Sequence, residues 1–467
     1  MTQIPILSGI FTDENAEFRA AYPVNMVPVP KEQGISKGYL RPADGIVSLG
    51  AGPGTDRGGI NWEGVCYRVM GTKFCRVGAG GTVTTLGDVG GSGRVTLDNG
   101  FGRLGISSGG NLFYWDGANL VQVVDGDLGT VVDFVWVDGY FMTTDGISLV
   151  VTELADPLHV NPLKYGSSEV NPDPIKALLK IRDEVYALNR FTIEVFDNIG
   201  GDLFPFQRNP GALVPKGVVG TYACCVYLEA AAFLGSGPNE APGIYLGANA
   251  SPTKISTREI DTLLLGYTEG QMSGVLLEAR NDRANQLLYV HLPDRTLVYD
   301  GVASQAVGEQ VWFVLTTSAV GFSQYRAQSL VWCYDRWLVG DPQSSAVGYL
   351  SASLSSHWGA KVRWEFGTVI IYNGGAGAIF HQLELVALTG RVALGTSPVI
   401  STSYSLDGQT WSQDKFKGVG TQGDRSQRLL WLHQGKMRNW RIQRFRGDSD
   451  AFMTFARLEA QLEPLRG

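Results

Sequence analysis

The sequence predicts an all-β protein: a β-propeller of about seven blades, one carrying a short helical insertion, followed by a C-terminal β-sandwich. Three observations point there. Sixty glycines, 18 tyrosines and 20 phenylalanines beside only 18% charged residues describe many short strands joined by tight turns, not amphipathic surface helices. Apolar aromatic runs then recur at intervals near the ~40 to 50 residues of a four-stranded blade. Beyond about residue 360 that spacing gives way to strictly alternating apolar and polar positions.

The first stretch, residues 1–60, predicts an extended arm and a joint. Pro23, Pro28, Pro30 and Pro42 each deny the backbone a donor, which favours an extended arm over a packed strand pair. Gly50-Ala-Gly-Pro-Gly54 reads as a flexible joint. Such an arm either reaches a neighbouring subunit or supplies the strand that closes the propeller.

Residues 61–360 are assigned to the propeller, with units beginning near Cys66, Gly93, Val131, Pro172, Val218, Ser273 and Phe322. Several contain an aromatic-Asp turn: Tyr114-Trp-Asp-Gly117, Phe196-Asp-Asn198, Tyr299-Asp-Gly301 and Tyr334-Asp335. Asp and Gly tolerate the left-handed backbone that tight hairpins need. The clearest hairpin joins Leu287–Leu292 to Leu297–Tyr299 through a short turn, both runs reading as interior strands.

One segment breaks this pattern. Ser256-Thr-Arg-Glu259 is a capping box followed by Ile260, Leu263, Leu264 and Tyr267 at helical spacing. Thr268-Glu-Gly-Gln271 repeats it before Met272, Val275, Leu276 and Ala279. The two short helices either pack on a blade edge or, through Glu259, Leu263, Tyr267, Met272 and Leu276, meet another subunit.

Residues 361–467 read as a separate sandwich, because Val362–Phe366 and Ala456–Leu462 alternate as half-exposed strands do. Its charge also differs. From Arg391 onward twelve Lys/Arg stand against seven Asp/Glu, a balance of +5; the whole chain carries -7, so residues 1 to 390 carry -12. Arg425, Arg428, Lys436, Arg438, Arg441, Arg444 and Arg446 follow one another without a single Asp or Glu, interleaved with Trp431, Trp440 and Phe445. Arginines among aromatics suit a solvated strand face, a docking surface for an acidic partner, or direct contact with DNA phosphates.

Chemistry-bearing motifs are absent where an enzyme needs them. His159, His291, His357, His381 and His433 stand singly, without the paired spacing of a zinc site or a triad. The glycines at Gly50–Gly59 lack the Gly-Lys-Ser/Thr that completes a phosphate loop. Cys66, Cys75, Cys224, Cys225 and Cys333 form no CxxC pair and read as reduced, partly buried thiols. No cofactor or metal is expected, and no enzymatic activity. The N-terminus carries no basic stretch ahead of an apolar run, and no segment approaches a membrane span, so a membrane role is not expected and synthesis in a cytoplasm is.

An alternative is a glycan-binding or glycan-cleaving propeller. Ser405-Leu-Asp-Gly-Gln-Thr-Trp411 comes near a sialidase Asp-box but is one residue short and occurs once. The eleven tryptophans are spread along the chain, which suits core packing better than one sugar shelf.

Several stretches in one order resemble the packaged-DNA stabilisation proteins, also called tail accessory or tail hub proteins, of short-tailed bacteriophages. The carriers are Pro23-Val-Asn-Met26 with Pro30-Lys-Glu32, Gly38-Tyr-Leu-Arg41 with Gly45-Ile46, Tyr67-Arg-Val69 with Gly71, and Gly87–Val95. Lys216–Tyr222, Ser256–Glu278, His291-Leu-Pro293 and Leu297–Asp300 follow, with a fainter return at Arg428–Trp431 and Arg438-Asn439. The resemblance implies a structural virion protein in the tail, assembled in the host cytoplasm as a homo-oligomer, a hexameric ring below the portal and adaptor ring. It implies attachment of the tail needle and of tailspikes or tail fibres, and closure of the channel through which packaged DNA passes. A mostly acidic subunit lining that channel would let DNA slide without tight, specific binding.

Overall fold

A computed structural model of the chain describes residues 2–7, 10–11, 20–31, 38–100, 102–154, 156–248, 251–282 and 285–465. Glu32 of the Pro30–Glu32 motif and Arg466 of the C-terminal basic count lie outside them. Seven antiparallel sheets of four or five strands follow one another and form the blades of a propeller. Their first strands begin at Asp56, Thr96, Asp133, Ile175, Gly217, Leu276 and Gln328, within a few residues of the expected unit starts except in blade 1.

The aromatic-Asp turns do different jobs. Tyr334 and Asp335 both adopt positive φ, 55° and 56°, which makes the tight hairpin between the first two strands of blade 7. Asp116 accepts backbone hydrogen bonds from Ala118 and Asn119, holding the next turn. Asp300 instead starts a helix, accepting from the Val302 and Ala303 amides at the N-terminus of Gly301–Val307.

Closely packed side chains fill the spaces between blades. Trp62, Tyr67 and Phe74 of blade 1 interlock with Leu104, Ile106, Phe113 and Trp115 of blade 2. Cys66, Met70, Cys75 and Val77 meet Val331, Cys333, Leu338 and Val347 across the blade 1–blade 7 seam. Each such side chain contributes on the order of 1.5–3 kcal/mol on burial. All five cysteines are free; four are buried and Cys225 half-buried. Burial pushes the Cys66 thiol up to about 11, so it stays protonated and unreactive.

The start of the chain departs from an extended arm and a flexible joint. Met26–Pro30 and Gly38–Pro42 pair antiparallel and join the sandwich sheet, where Thr2–Ile4 also pairs with Leu458–Ala460. Pro28 and Pro30 are tolerated because their strand is the sheet's edge, where a missing donor costs no ladder bond. Gly45–Ala51 is the outermost strand of blade 7 and closes the propeller. Its glycines serve close approach: a Cβ on Gly50 would stand 2.1 Å from the Gly81 carbonyl oxygen of blade 1.

The helical expectation needs two corrections. The first helix, α1 (Arg258–Leu264), has Thr257 as its N-cap, not Ser256. The Ser256 hydroxyl donates to the Asp261 carboxylate at 2.6 Å and accepts from the Ile244 amide, so it is spent on tying the helix to blade 5. The second, α2 (Glu269–Ser273), forms the full Thr268–Gln271 capping box but stops at Gly274. Leu276 and Ala279 lie in the first strand of blade 6, where sheet pairing with His291 and Leu288 overrides the helical spacing.

The sandwich packs one sheet, running from Met26–Pro30 to Leu429–Leu432, against a second, running from Arg363–Gly367 to Lys415–Gly418. Trp364, Phe366, Phe445 and Phe455 form its aromatic centre. Residues 23–25 join it to the propeller. The Val24 amide donates to the Glu365 carbonyl at 2.8 Å, and the Val314 amide donates to the Pro23 carbonyl at 2.8 Å, so these residues bridge blade 6 and the sandwich.

Candidate interaction surfaces

The first strands of the seven blades face the propeller axis, and between them lies a cavity of about 310 Å³ lined by Arg57, Arg94, Asp133, Tyr222 and Glu278 among others. Its charged groups are committed to riveting neighbouring blades. Asp133 of blade 3 accepts from the Thr96 hydroxyl of blade 2 at 2.6 Å and from the Leu178 amide of blade 4 at 2.8 Å. Full burial pushes its carboxyl up to about 7 in spite of these bonds. Glu278 of blade 6 accepts from the Ser329 and Leu330 amides of blade 7 at 2.6 and 2.9 Å, and burial raises it too. Arg57 donates to the Gly71 and Gly90 carbonyls and to the Ser108 hydroxyl, each at 2.8 Å. Both carboxylates thus accept hydrogen bonds across a seam from a neighbouring blade, a structural role.

The other residues singled out by sequence are scattered. His291 is buried between Tyr289 and Tyr325, and His357 is buried beside Tyr325; burial pulls both imidazoles down to about 3. His159 pairs with Asp156 and His381 with Glu463, both at the surface. The Ser405–Trp411 turn lies in the sandwich and not in the propeller, as a hairpin in which Asp407 accepts from the Gln409 and Thr410 amides. The glycan reading therefore loses its one motif.

The basic run does not form one surface. Arg441 is fully buried, its guanidinium 4.1 Å from the Phe380 ring centre and 3.9 Å from that of Tyr404. It donates to the Gln434 carbonyl and the Gln443 side chain, both at 2.6 Å, so as a docking residue it is corrected to a core one. Arg444 lies over Trp411 and Arg446 pairs with Asp414, both half-buried. Strand alternation explains the split, since Arg441 and Phe445 point into the sandwich and Arg444 and Arg446 away from its centre. Arg425, Arg428, Lys436 and Arg438 are exposed, with Arg428 bound to Glu384.

On the helices, Met272 is buried with Ile260 and Leu264 against the propeller core, and Leu263 and Tyr267 pack on the same core. Glu259 and Leu276 are half-buried. The exposed side is polar apart from Leu265. The insertion is thus a packed edge element, and Tyr22 bonds to the Thr257 hydroxyl at its base.

Family comparison agrees with this architecture. A model of the bacteriophage P22 Gp10 β-propeller matches residues 2–355, and a model of the P22 Gp10 β-sandwich matches residues 363–463. The tail hub protein gp10 of Salmonella phage P22 is 28% identical over 458 residues, covering 93% of this chain and 94% of that protein. Among solved structures, the Neurospora crassa Pan2 WD40 domain is 9% identical with a TM-score of 0.42, covering 66% of this chain and 96% of that one. The computationally designed Ika8 protein is 11% identical with a TM-score of 0.38, covering 65% and 99%.

Proposed function

The chain belongs to the bacteriophage P22 Gp10 family and is a structural phage tail hub protein, and we propose that it works there as a non-enzymatic ring that retains packaged DNA. The observation that carries this reading is the extent of the match, which takes in propeller, sandwich and the strands that join them. In this reading six copies assemble in the host cytoplasm below the portal and its adaptor, hold the tail needle, and offer side surfaces to tailspikes or fibres.

The bore of a single propeller is lined by Arg57, Arg94, Asp133 and Glu278, and its cavity of about 310 Å³ is far too small to pass a duplex. DNA therefore passes between subunits. The balance of -12 over residues 1 to 390 favours a channel wall that repels phosphates, so retention comes from closing the channel and not from gripping DNA. The exposed Arg425, Lys436 and Arg438 are assigned to an acidic protein partner, and the polar outer side of α1 and α2 to a weaker neighbouring contact.

The test is a phage lacking the gene for this chain. Particles filled in its absence are expected to lose their DNA to nuclease and to recover it when the purified chain is added; particles that keep their DNA without the chain would overturn the reading.

A further inference from the structure

Blade 3 ends differently from every other blade. Its outer strand, Asp156–Ser167, has 12 residues, whereas the outer strands of the other blades have three to seven. Among the described residues it has no strand partner on its outer side, as is usual for an outermost blade strand. Its ladder breaks between Val150 and Thr152 and again between Thr152 and Glu153, and it carries Pro157, Pro162 and Lys164, so this edge would meet a partner through side chains and not through strand pairing.

This edge is also apolar. Leu163 and Tyr165 are 63% and 60% exposed, and Leu154 stands exposed at the strand's start. The loop between the last two strands of blade 4 adds exposed Ile199 and Leu203, and its Phe204 ring lies where a Cβ on Gly166 would be, 2.3 Å away. Blade 4 thus rests directly on the blade 3 edge, making one patch. Residues 133–208, which make up these two blades, hold twelve Asp/Glu and six Lys/Arg; with Asp133 and Glu194 buried away from the surface, the outward balance is still acidic.

The opposite character appears at the far end of the sandwich. Both sandwich sheets begin with strands tied to the propeller and finish at Lys415–Gly418 and Leu429–Leu432, which touch each other. Phe416 is 67% and Leu432 55% exposed there, among Lys415, Lys417, Arg425 and Arg428. The sandwich is fixed to blade 6 through Val24, which bridges both Val314 and Glu365, and the segment leading into it touches blade 7 where His357 bridges Ile46. In a ring of seven, blades 3 and 4 lie across the axis from that attachment. Two complementary surfaces on opposite sides of one subunit generate head-to-tail association, which closes into a ring when the rotation permits.

We propose that the outer edge of blades 3 and 4 docks on the distal basic edge of the sandwich of a second copy of this chain. The proposal rests on the oligomeric tail-hub reading and gives it a specific interface. Leu163, Tyr165 and Leu203 of one copy cover Phe416 and Leu432 of the next, and the lysines and arginines around them meet the acidic blades.

Two variants of the full chain test it by sedimentation at low salt. L163D/Y165D removes the blade edge, and F416D/L432D removes the sandwich edge. Each alone is expected to be monomeric, and a 1:1 mixture is expected to form a dimer that grows no further, since each variant keeps the half the other lacks. Charge-only variants, Asp202→Lys and Arg425→Glu, guard against misfolding; each is expected to weaken association about tenfold at low salt and little at high salt. Wild-type assembly with variants that assemble equally well, or a mixture that stays monomeric, overturns this interface and leaves the oligomeric reading standing. A wild-type chain that stays monomeric, alone and in tail particles, overturns both.

Discussion

Asn25 and Thr316 exchange two hydrogen bonds: the Asn25 side-chain amide donates to the Thr316 carbonyl, and the Thr316 backbone amide donates to the Asn25 side-chain oxygen, each at 3.0 Å. The same Asn25 amide group donates to the Arg363 carbonyl at 2.7 Å, so one buried side chain satisfies blade 6 and the sandwich together. Asn25 also sits at φ 52°, a left-handed conformation that asparagine tolerates better than most residues.

Replacing Asn25 with Ala leaves three buried backbone groups unpaired and strains the backbone. The expected loss is about 3 kcal/mol, and because the pin couples the domains, calorimetry is expected to show two separated unfolding transitions instead of one. A single transition at the wild-type temperature would contradict this.

Gly50→Val places a side chain against the Gly81 carbonyl at the seam that closes the propeller. Backbone on both sides leaves no soft atom to yield, so a loss of about 3 kcal/mol or more is expected, together with protease cleavage within residues 45–55. Denaturant titration and limited proteolysis read the two effects.

Stability has opposed pH dependences that single variants separate. Asp133 titrates at about 7 when folded against an ordinary 3.8, so its contribution is complete below the ordinary value and is lost as pH rises from about 4 to 7. His291 and His357 titrate at about 3 against an ordinary 6.5, so theirs is present above 6.5 and lost as pH falls toward 3. Asp133→Asn is expected to make stability rise more steeply with pH between 4 and 6.5, and His291→Gln to make it rise less. Each group changes the slope by at most about 1.4 kcal/mol per pH unit. Unfolding free energies measured across that range check both signs.

Arg441→Lys and Arg438→Glu are expected to behave in opposite ways although the residues lie three apart. Lysine cannot stack between Phe380 and Tyr404 while also reaching both Gln434 and Gln443, so Arg441→Lys is expected to cost about 2–4 kcal/mol. Arg438 is exposed, and Arg438→Glu is expected to change stability by under about 0.5 kcal/mol. Equal effects in thermal melts would reject the assignment of Arg441 to the core.

Residue patterns alone reached about seven blades, because each blade repeats the same local problem of four short strands and tight turns within one stretch of chain. Leu287–Tyr299 is the plainest case, since its turn and both its strands are neighbours in sequence. The basic run was legible as composition but not as a surface, because whether Arg441 points in or out depends on strand phase and on aromatic rings more than thirty residues away.

What the sequence determined by itself was the local part: strand-rich blades, a capped helical insertion at Thr268, and a charge boundary near residue 391. Tertiary structure decided where the opening residues go. Gly38–Pro42, with Met26–Pro30 paired on its other side, finds a partner in the sandwich at Phe455, and Gly45–Ala51 finds one in blade 7, about three hundred residues or more along the chain. Nothing local in Pro28 or Gly50 encodes that choice; the unpaired edges of two finished sheets do, by offering backbone partners that an extended arm lacks.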